Sequence, residues 1–522
     1  WGEVWLARLP HARLTDVFIQ PDLRRKRVVA DVYVSGCPDG AEVQLRVEDT
    51  DYAASGRPGR MLVDMEHFDT WSHEHPVLYR MSAVLRLGNE ILDRITLPFG
   101  MREFGVKDNR FHLNHRPIFL RGALYQPDYA RSLAAPESEA AARHEIESAK
   151  AAGFNLLRLH IRPAPEILLK LADEIGMLLY AEPSIGWIKS SEFMKARCEQ
   201  SVREMILRDR NHPSVVIWGM LNETGNADYV THGGAQEIKD DLCLLARGLD
   251  PTRVIIDDSA GVNATREPSR LIRPYRDVFE EFDDLHIYQR APVDNLIRAY
   301  YANNGEPGQL ALISEFGFGG PEDLPEVLDR YGEDRERLKD ARFLKQMLDA
   351  ILPGFEERGL DKMFGDFSGF CAAAQQLQCD AARSQIEAMM SNPNLSGYCY
   401  TQLADAGHEF CAGFLDRWRR PKPVMATLAE VQSPLRPLIR LSKTNLALRE
   451  ECEVSVVLYN EEGLNAAADL SLQVVGPTNQ VLWKKKRNIK LPRSGKELWN
   501  GTISASGSPG THKFVVRLMQ GM

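Results

Sequence analysis

The sequence predicts a multidomain chain: a β-sandwich, then a (β/α)8 TIM barrel, then a C-terminal β-sandwich. Short strand-like runs broken by turn formers fill residues 8–103, and no long helical pattern interrupts them. From 104 to 432, apolar strand runs alternate with amphipathic helical ones, the pattern of a parallel sheet joined by crossover helices. Strand patterns return over 433–522. A chain of 522 residues also exceeds what one core organises, so several domains are expected.

In the first module, Arg27 to Val34 and Glu42 to Val47 are short strand-like runs, the second with clear period-two alternation. Ser35-Gly36-Cys37-Pro38-Asp39-Gly40 between them is dense in turn formers. In the second, Phe154 to His160 reads as a strand and Pro165 to Ile175 as a helix with Ile167, Leu168, Leu171 and Ile175 on one face. Gly176 supplies the stop, and Met177 to Ala181 is the next strand. Repeating that unit places eight barrel strands near 118–122, 154–160, 177–182, 214–221, 253–258, 284–288, 310–315 and 396–402, with a mostly helical connection over 321–392. Leu446 to Leu448, Val454 to Tyr459 and Leu470 to Val475 carry the last module, and the end at Met522 leaves its completeness open.

Composition narrows the partners. The formal net charge of −9, with both signs well mixed, argues against nucleic acid and offers no basic membrane patch. No apolar run approaches the roughly 18 residues of a membrane-spanning helix. The eight cysteines are scattered without metal-ligand spacing and are expected to be mostly buried free thiols. There is no His-x-x-x-His, no Gly-x-Ser-x-Gly elbow and no Gly-rich phosphate loop after a strand, so no metal or organic cofactor is expected.

The chemistry concentrates at two strand ends. Val215-Val216-Ile217-Trp218 suits a parallel strand covered on both faces, and it runs on to the polar pair Asn222-Glu223. Leu310-Ala311-Leu312-Ile313-Ser314-Glu315-Phe316-Gly317 is a second apolar strand that delivers a carboxylate and breaks at a glycine. By strand count Glu223 ends the fourth barrel strand and Glu315 the seventh. Two carboxyls on one barrel mouth are the minimum equipment for cleaving a glycosidic bond.

These residues carry a family resemblance. Arg208-Asp209-Arg210-Asn211-His212-Pro213-Ser214 before a strand ending in Asn-Glu, then Ile313-Ser314-Glu315-Phe316-Gly317, resembles the catalytic barrel of glycoside hydrolase family 2. Asn114 to Gly122, Gly153 to Arg158, and Trp71-Ser72-His73-Glu74-His75-Pro76-Val77-Leu78-Tyr79 resemble further segments of that family. The likeness runs from the first residues to about Gln432. It implies that the first sandwich is immunoglobulin-like and that the chain is a β-galactosidase-, β-glucuronidase- or β-mannosidase-like hydrolase. It also implies that Trp1-Gly2-Glu3-Val4-Trp5-Leu6 closes an upstream jelly-roll sugar-binding domain, leaving residues 1–7 as its remnant. Such a start leaves localisation open.

The expected activity is that of a retaining exo-β-glycosidase acting on terminal β-linked sugars, β-galactoside-like or related. Glu223 is the expected general acid/base and Glu315 the nucleophile. The resemblance gives Asn222 a substrate hydroxyl at C2. Arg158 and His160 share one face of the second strand, and Arg158 is expected to reach a carboxylate. His286 and Tyr288 have the same spacing on the sixth, where related barrels place a Tyr against the nucleophile. Glu182 and Asp258 are rim carboxylates, Tyr400 is a candidate floor under a sugar ring, and Trp187 a candidate stacking platform. The eighth strand lacks the Trp of the best-known branches. The Asn-x-Lys with which β-glucuronidases read a uronic carboxylate is also absent from the barrel, since Asn488-Ile489-Lys490 falls in the last module. Two rivals stay open: a carbohydrate-binding pseudoenzyme, and a transglycosylase using the same covalent intermediate. A homo-oligomer is also left open.

Overall fold

A computed structural model describes residues 6–186, 191–224, 235–260, 268–407, 409–443, 445–461, 463–492, 496–504 and 508–520. Most of the segment expected to close an upstream domain (residues 1–5) and the platform candidate Trp187 lie outside the described residues. The chain divides into two compact units: Trp1–Pro117 with Ser138–Glu147 and Asn155–Glu281, and Ile118–Glu137 with Ser148–Phe154 and Phe282–Met522.

The first unit opens with a sandwich of two antiparallel sheets. One joins Arg13–Asp22, Arg27–Ser35 and Gly59–Asp64; the other joins Ala53–Gly56, Glu42–Val47, Tyr79–Leu87 and Glu90–Phe99. The alternation read in the sequence has its physical counterpart in Glu42–Val47, which buries Val43, Leu45 and Val47 and exposes Glu42, Gln44 and Arg46. Val28, Ala30 and Val32 from the facing sheet share that core. A small sheet of Phe104–Lys107, Arg110–Leu113 and Arg116–Pro117 follows, where the sequence reading had already begun the barrel.

Nine further strands come next in chain order: β1 (Leu120–Tyr125), β2 (Leu156–Leu159), β3 (Leu178–Ala181), β4 (Val215–Asn222), β5 (Val254–Ser259), β6 (Ser269–Ile272), β7 (Phe279–Ile287), β8 (Ala311–Phe316) and β9 (Leu395–Tyr400). Within the first unit β2, β3, β4 and β5 pair in parallel, and β6 returns antiparallel on β5. Every residue of β2 to β5 is buried, as parallel strands covered on both faces require. The sequence reading placed eight strands and missed β6, a four-residue return too short to show a period.

The Arg208–Ser214 motif is the joint of this unit. Asn211 accepts from the Ile19 amide and donates to the Val17 carbonyl, and Arg210 pairs with Asp16 and lies over Phe18, so the loop before β4 is clamped to the first sandwich strand. Asp173 accepts from the Ser214 amide (3.0 Å) and pairs with His212 (2.6 Å). Trp71 is fully buried beside this loop; its indole N–H donates to the Asp173 carbonyl at 2.9 Å. Position 100 must be glycine here, because a Cβ would meet the Trp71 Cβ at 2.6 Å.

In the second unit β7, β8, β9 and β1 pair in parallel. The long connection between β8 and β9 is helical, as expected, with Leu324–Tyr331, Lys339–Glu357, Leu360–Phe364 and Phe367–Met390 around their own core. The C-terminal module is a pair of three-stranded antiparallel sheets whose core includes Val454, Val456, Leu470, Leu472 and Trp499. It is tied to β1 through an ion pair of buried Arg121 with half-buried Glu461. All eight cysteines are free thiols and six are buried. No described helix is long and apolar enough to cross a membrane.

Removing Trp71 takes away a large buried ring and the hydrogen bond to Asp173. Trp71→Ala is expected to destabilise the protein by about 3–5 kcal/mol, read as a lowered urea midpoint. An unchanged midpoint would show that the sandwich and the Arg208–Ser214 loop do not depend on this contact.

Candidate active site

In the first unit the C-terminal ends of β2, β3 and β4 bring four predicted residues together. Arg158, with no solvent exposure, donates from Nε to Glu182 Oε1 at 2.7 Å and from a terminal nitrogen to Asn222 Oδ1 at 2.5 Å. His160 Nδ1 lies 3.1 Å from Glu182 Oε2. Arg158 and His160 sit two residues apart on one strand face, and both therefore reach the same carboxylate. Burial pushes the Glu182 carboxyl up, but the charges and hydrogen bonds of Arg158 and His160 outweigh it and hold that group below its ordinary value.

This network fixes the amide of Asn222. A guanidinium has only donors, so it must be met by the carbonyl oxygen, which fixes which way round the amide sits. Glu223 follows at φ +53, a left-handed conformation unusual for a side chain of this size, with its backbone N–H on the Ser259 carbonyl at 2.9 Å. The next residue is anchored as well: the Thr224 hydroxyl donates to Asp258 Oδ2 at 2.5 Å.

In the second unit the ends of β7, β8 and β9 surround Glu315. Register places His286 opposite Glu315. Tyr288 donates its hydroxyl to Glu315 Oε2 at 2.5 Å, and His286 Nδ1 lies 3.4 Å from the same oxygen. Since the Tyr288 proton is committed to the carboxylate, the Thr401 hydroxyl at 2.9 Å is the donor to the phenol oxygen.

Tyr400 corrects the sequence reading. It is fully buried, its hydroxyl accepts from Gln378 of the helix Phe367–Met390 at 3.0 Å, and its ring packs edge-on to Phe316, so no face remains for a sugar. Tyr398, on the same face of β9, bonds Gln432. Both tyrosines point to the helical layer, and the residue that joins the Glu315 cluster is Thr401, one position on. Thr401 and Thr224 were not singled out as site contacts; the strand-end position of Thr401 was the one available signal.

The profile described as "Glycosyl hydrolases family 2, TIM barrel domain" matches residues 104–319, and that described as "Glycosyl hydrolases family 2" matches 12–102, together more than half of the chain. A β-glucuronidase of Streptococcus agalactiae is 28% identical over 232 residues, 41% of this chain and 37% of that protein. A β-galactosidase of Enterobacter cloacae is 28% identical over 293 residues, 50% of this chain and 27% of that one. The chain thus spans about a third of the length of these curated relatives. Among solved structures, a β-D-mannosidase of Dictyoglomus thermophilum superposes with a TM-score of 0.73 at 18% identity, covering 98% of this chain and 65% of its own. The coarse architecture expected from the sequence, a sandwich domain followed by a TIM-barrel domain, is borne out.

Burial raises the Asp258 carboxyl to about 6, against the lowering effect of its Thr224 bond. A carboxyl raised on folding stabilises the protein fully below its unfolded value near 4, and that contribution is lost as pH rises through 6. Asp258→Asn removes this dependence. Between pH 4 and 7 the wild type is expected to lose roughly 3 kcal/mol relative to the variant, measured as the difference in unfolding free energy at each pH. Parallel curves would show that Asp258 is ionised at no such cost.

Proposed function

The chain belongs to glycoside hydrolase family 2, and on that premise we propose that it is a retaining exo-β-glycosidase acting on terminal β-linked sugars. The observation that carries this reading is Glu315, delivered at the end of β8 with Tyr288 and His286 both on Oε2. Glu315 attacks the anomeric carbon while Glu223 gives its proton to the departing oxygen. Glu223 then removes a proton from water, whose oxygen displaces Glu315 and releases the sugar with its configuration retained. A retaining pair works with its carboxyls roughly 5–5.5 Å apart, and the reading requires that of these two residues.

Asn222 offers its NH2 to the hydroxyl at C2, a contact that strengthens in the transition state. His160 contributes through the ring nitrogen left over from its bond to Glu182. The preferred substrate class is β-galactoside-like. The relatives are named for glucuronides and galactosides alike, and the missing Asn-x-Lys in the barrel disfavours a uronic sugar.

Glu315→Ala is expected to abolish turnover, with azide partly restoring it and yielding the inverted glycosyl azide. Full activity of that variant without added anion would reject Glu315 as nucleophile.

Glu223→Gln is expected to slow alkyl glycosides far more than nitrophenyl glycosides, because a nitrophenolate leaves with little protonation. An equal loss across a leaving-group series would remove Glu223 from the acid role.

A further inference from the structure

The first unit holds a cavity of ≈ 390 Å³ at the end of β4 opposite to Asn222 and Glu223. Pro213, two residues before β4, and Arg253, just before β5, form part of its wall. The eight residues of β4 put roughly 25 Å between this cavity and the predicted catalytic end. The volume falls within the range of small-molecule sites.

Its lining is strongly cationic. Arg24, Arg102, Lys107, Arg253, Arg273 and Arg276 face it, against one carboxylate, Glu103. That carboxylate is already engaged by the Leu23 amide at 2.8 Å and lies 3.4 Å from His115. Arg253 shares Asp250, and Arg273 pairs with Glu280 while its Nε, buried, meets no acceptor. Arg102 spends its donors on the carbonyls of Pro213 and Val215 and has no acid of its own. Among the described residues Arg24 and Arg276 form no ion pair, and both are exposed at the mouth. Asp22 nearby pairs with Arg25 and Arg27 instead. Burial, with repulsion from Arg253, pulls the Arg102 guanidinium well below its ordinary range. A bound anion would counter that repulsion.

The remaining wall is mostly apolar, with His112, His115, Asn211 and Thr252 set among it. Ile19, Phe99, Phe104, Pro213 and Pro274 line it, and the Tyr275 ring stands at its edge, 64% exposed. A cationic rim around an apolar floor with an exposed ring selects a molecule that is anionic at one end and flat at the other. Guanidinium groups match phosphate oxygens in pairs.

We propose that this cavity is a second binding site, separate from the glycosidase centre, for a small organic phosphate of nucleoside monophosphate size. Its phosphate would lie on Arg24, Lys107 and Arg276 and its ring against Tyr275 and Pro274.

The test is calorimetric titration of the full chain with AMP, adenosine and inorganic phosphate. AMP is expected to bind once per chain, adenosine roughly tenfold or more weakly, and phosphate to compete with AMP. Arg24→Ala combined with Arg276→Ala should weaken AMP by roughly tenfold or more and leave nitrophenyl glycoside kinetics and Tm unchanged, since both side chains are exposed. Glu315→Ala should bind AMP as the wild type does. No binding of AMP at millimolar concentration, equal binding of adenosine and AMP, or equal binding by the double variant would each overturn the proposal. Loss of AMP binding in Glu315→Ala would overturn it too, by placing the ligand in the glycosidase centre.

Discussion

The buried guanidinium of Arg158 sets the terms for the strand ends around it. A charge with no solvent exposure is tolerated only when every donor finds an acceptor and a counter-charge stands close. Glu182 supplies the counter-charge and therefore stays ionised despite its own burial. Asn222 supplies an acceptor, which fixes which way round its amide sits. Three consecutive strands, β2, β3 and β4, are thus tied at one level, and Glu223 leaves the last of them from a defined point. In the proposed reading a substrate hydroxyl meets an amide whose orientation was settled during folding rather than on binding, so little ordering remains to be done.

The longest motif in the sequence turns out to be architectural. Arg208 to Ser214 precedes β4, yet Arg210, Asn211 and His212 bond the sandwich strand Arg13–Asp22, the Leu249 carbonyl and Asp173. Its proximity to Asn222-Glu223 is a matter of chain order. The eight residues of β4 separate the joint from Asn222 and Glu223. Position is what the joint provides: it fixes where β4 starts, and the rigid, fully buried strand carries that placement to its other end.

Much of this was legible because it is local. Strand runs at Val215 and Ala311, the helix closed by Gly176, and the spacing of Arg158 with His160 and of His286 with Tyr288 all depend on near neighbours, and strand periodicity alone sends each pair to one face. What escaped depends on partners far away in sequence. Whether Tyr400 faces the sugar or the helices is decided by Gln378 and Phe316, and the period of two alone leaves the phase of β9 undetermined. Thr401 acquires meaning only through Tyr288, and Thr224 only through Asp258. The return strand β6 has no signature beyond four residues that happen to pair with β5.

Glu315 also shows why its neighbours cannot be exchanged freely. The Tyr288 phenol gives its proton to Oε2, and that leaves the phenol oxygen in need of a donor, which Thr401 provides. The chain Thr401, Tyr288, Glu315 therefore has one consistent direction, and the phenol both gives and receives. When the carboxylate forms an ester in the proposed reaction, its charge vanishes and the phenol loses its strongest acceptor. The same proton then becomes available to an oxygen of the bound sugar, and it returns when water restores the carboxylate. A tyrosine beside the nucleophile can act at both steps for this reason, whereas a permanent cation at that position would oppose the loss of charge on which the first step depends.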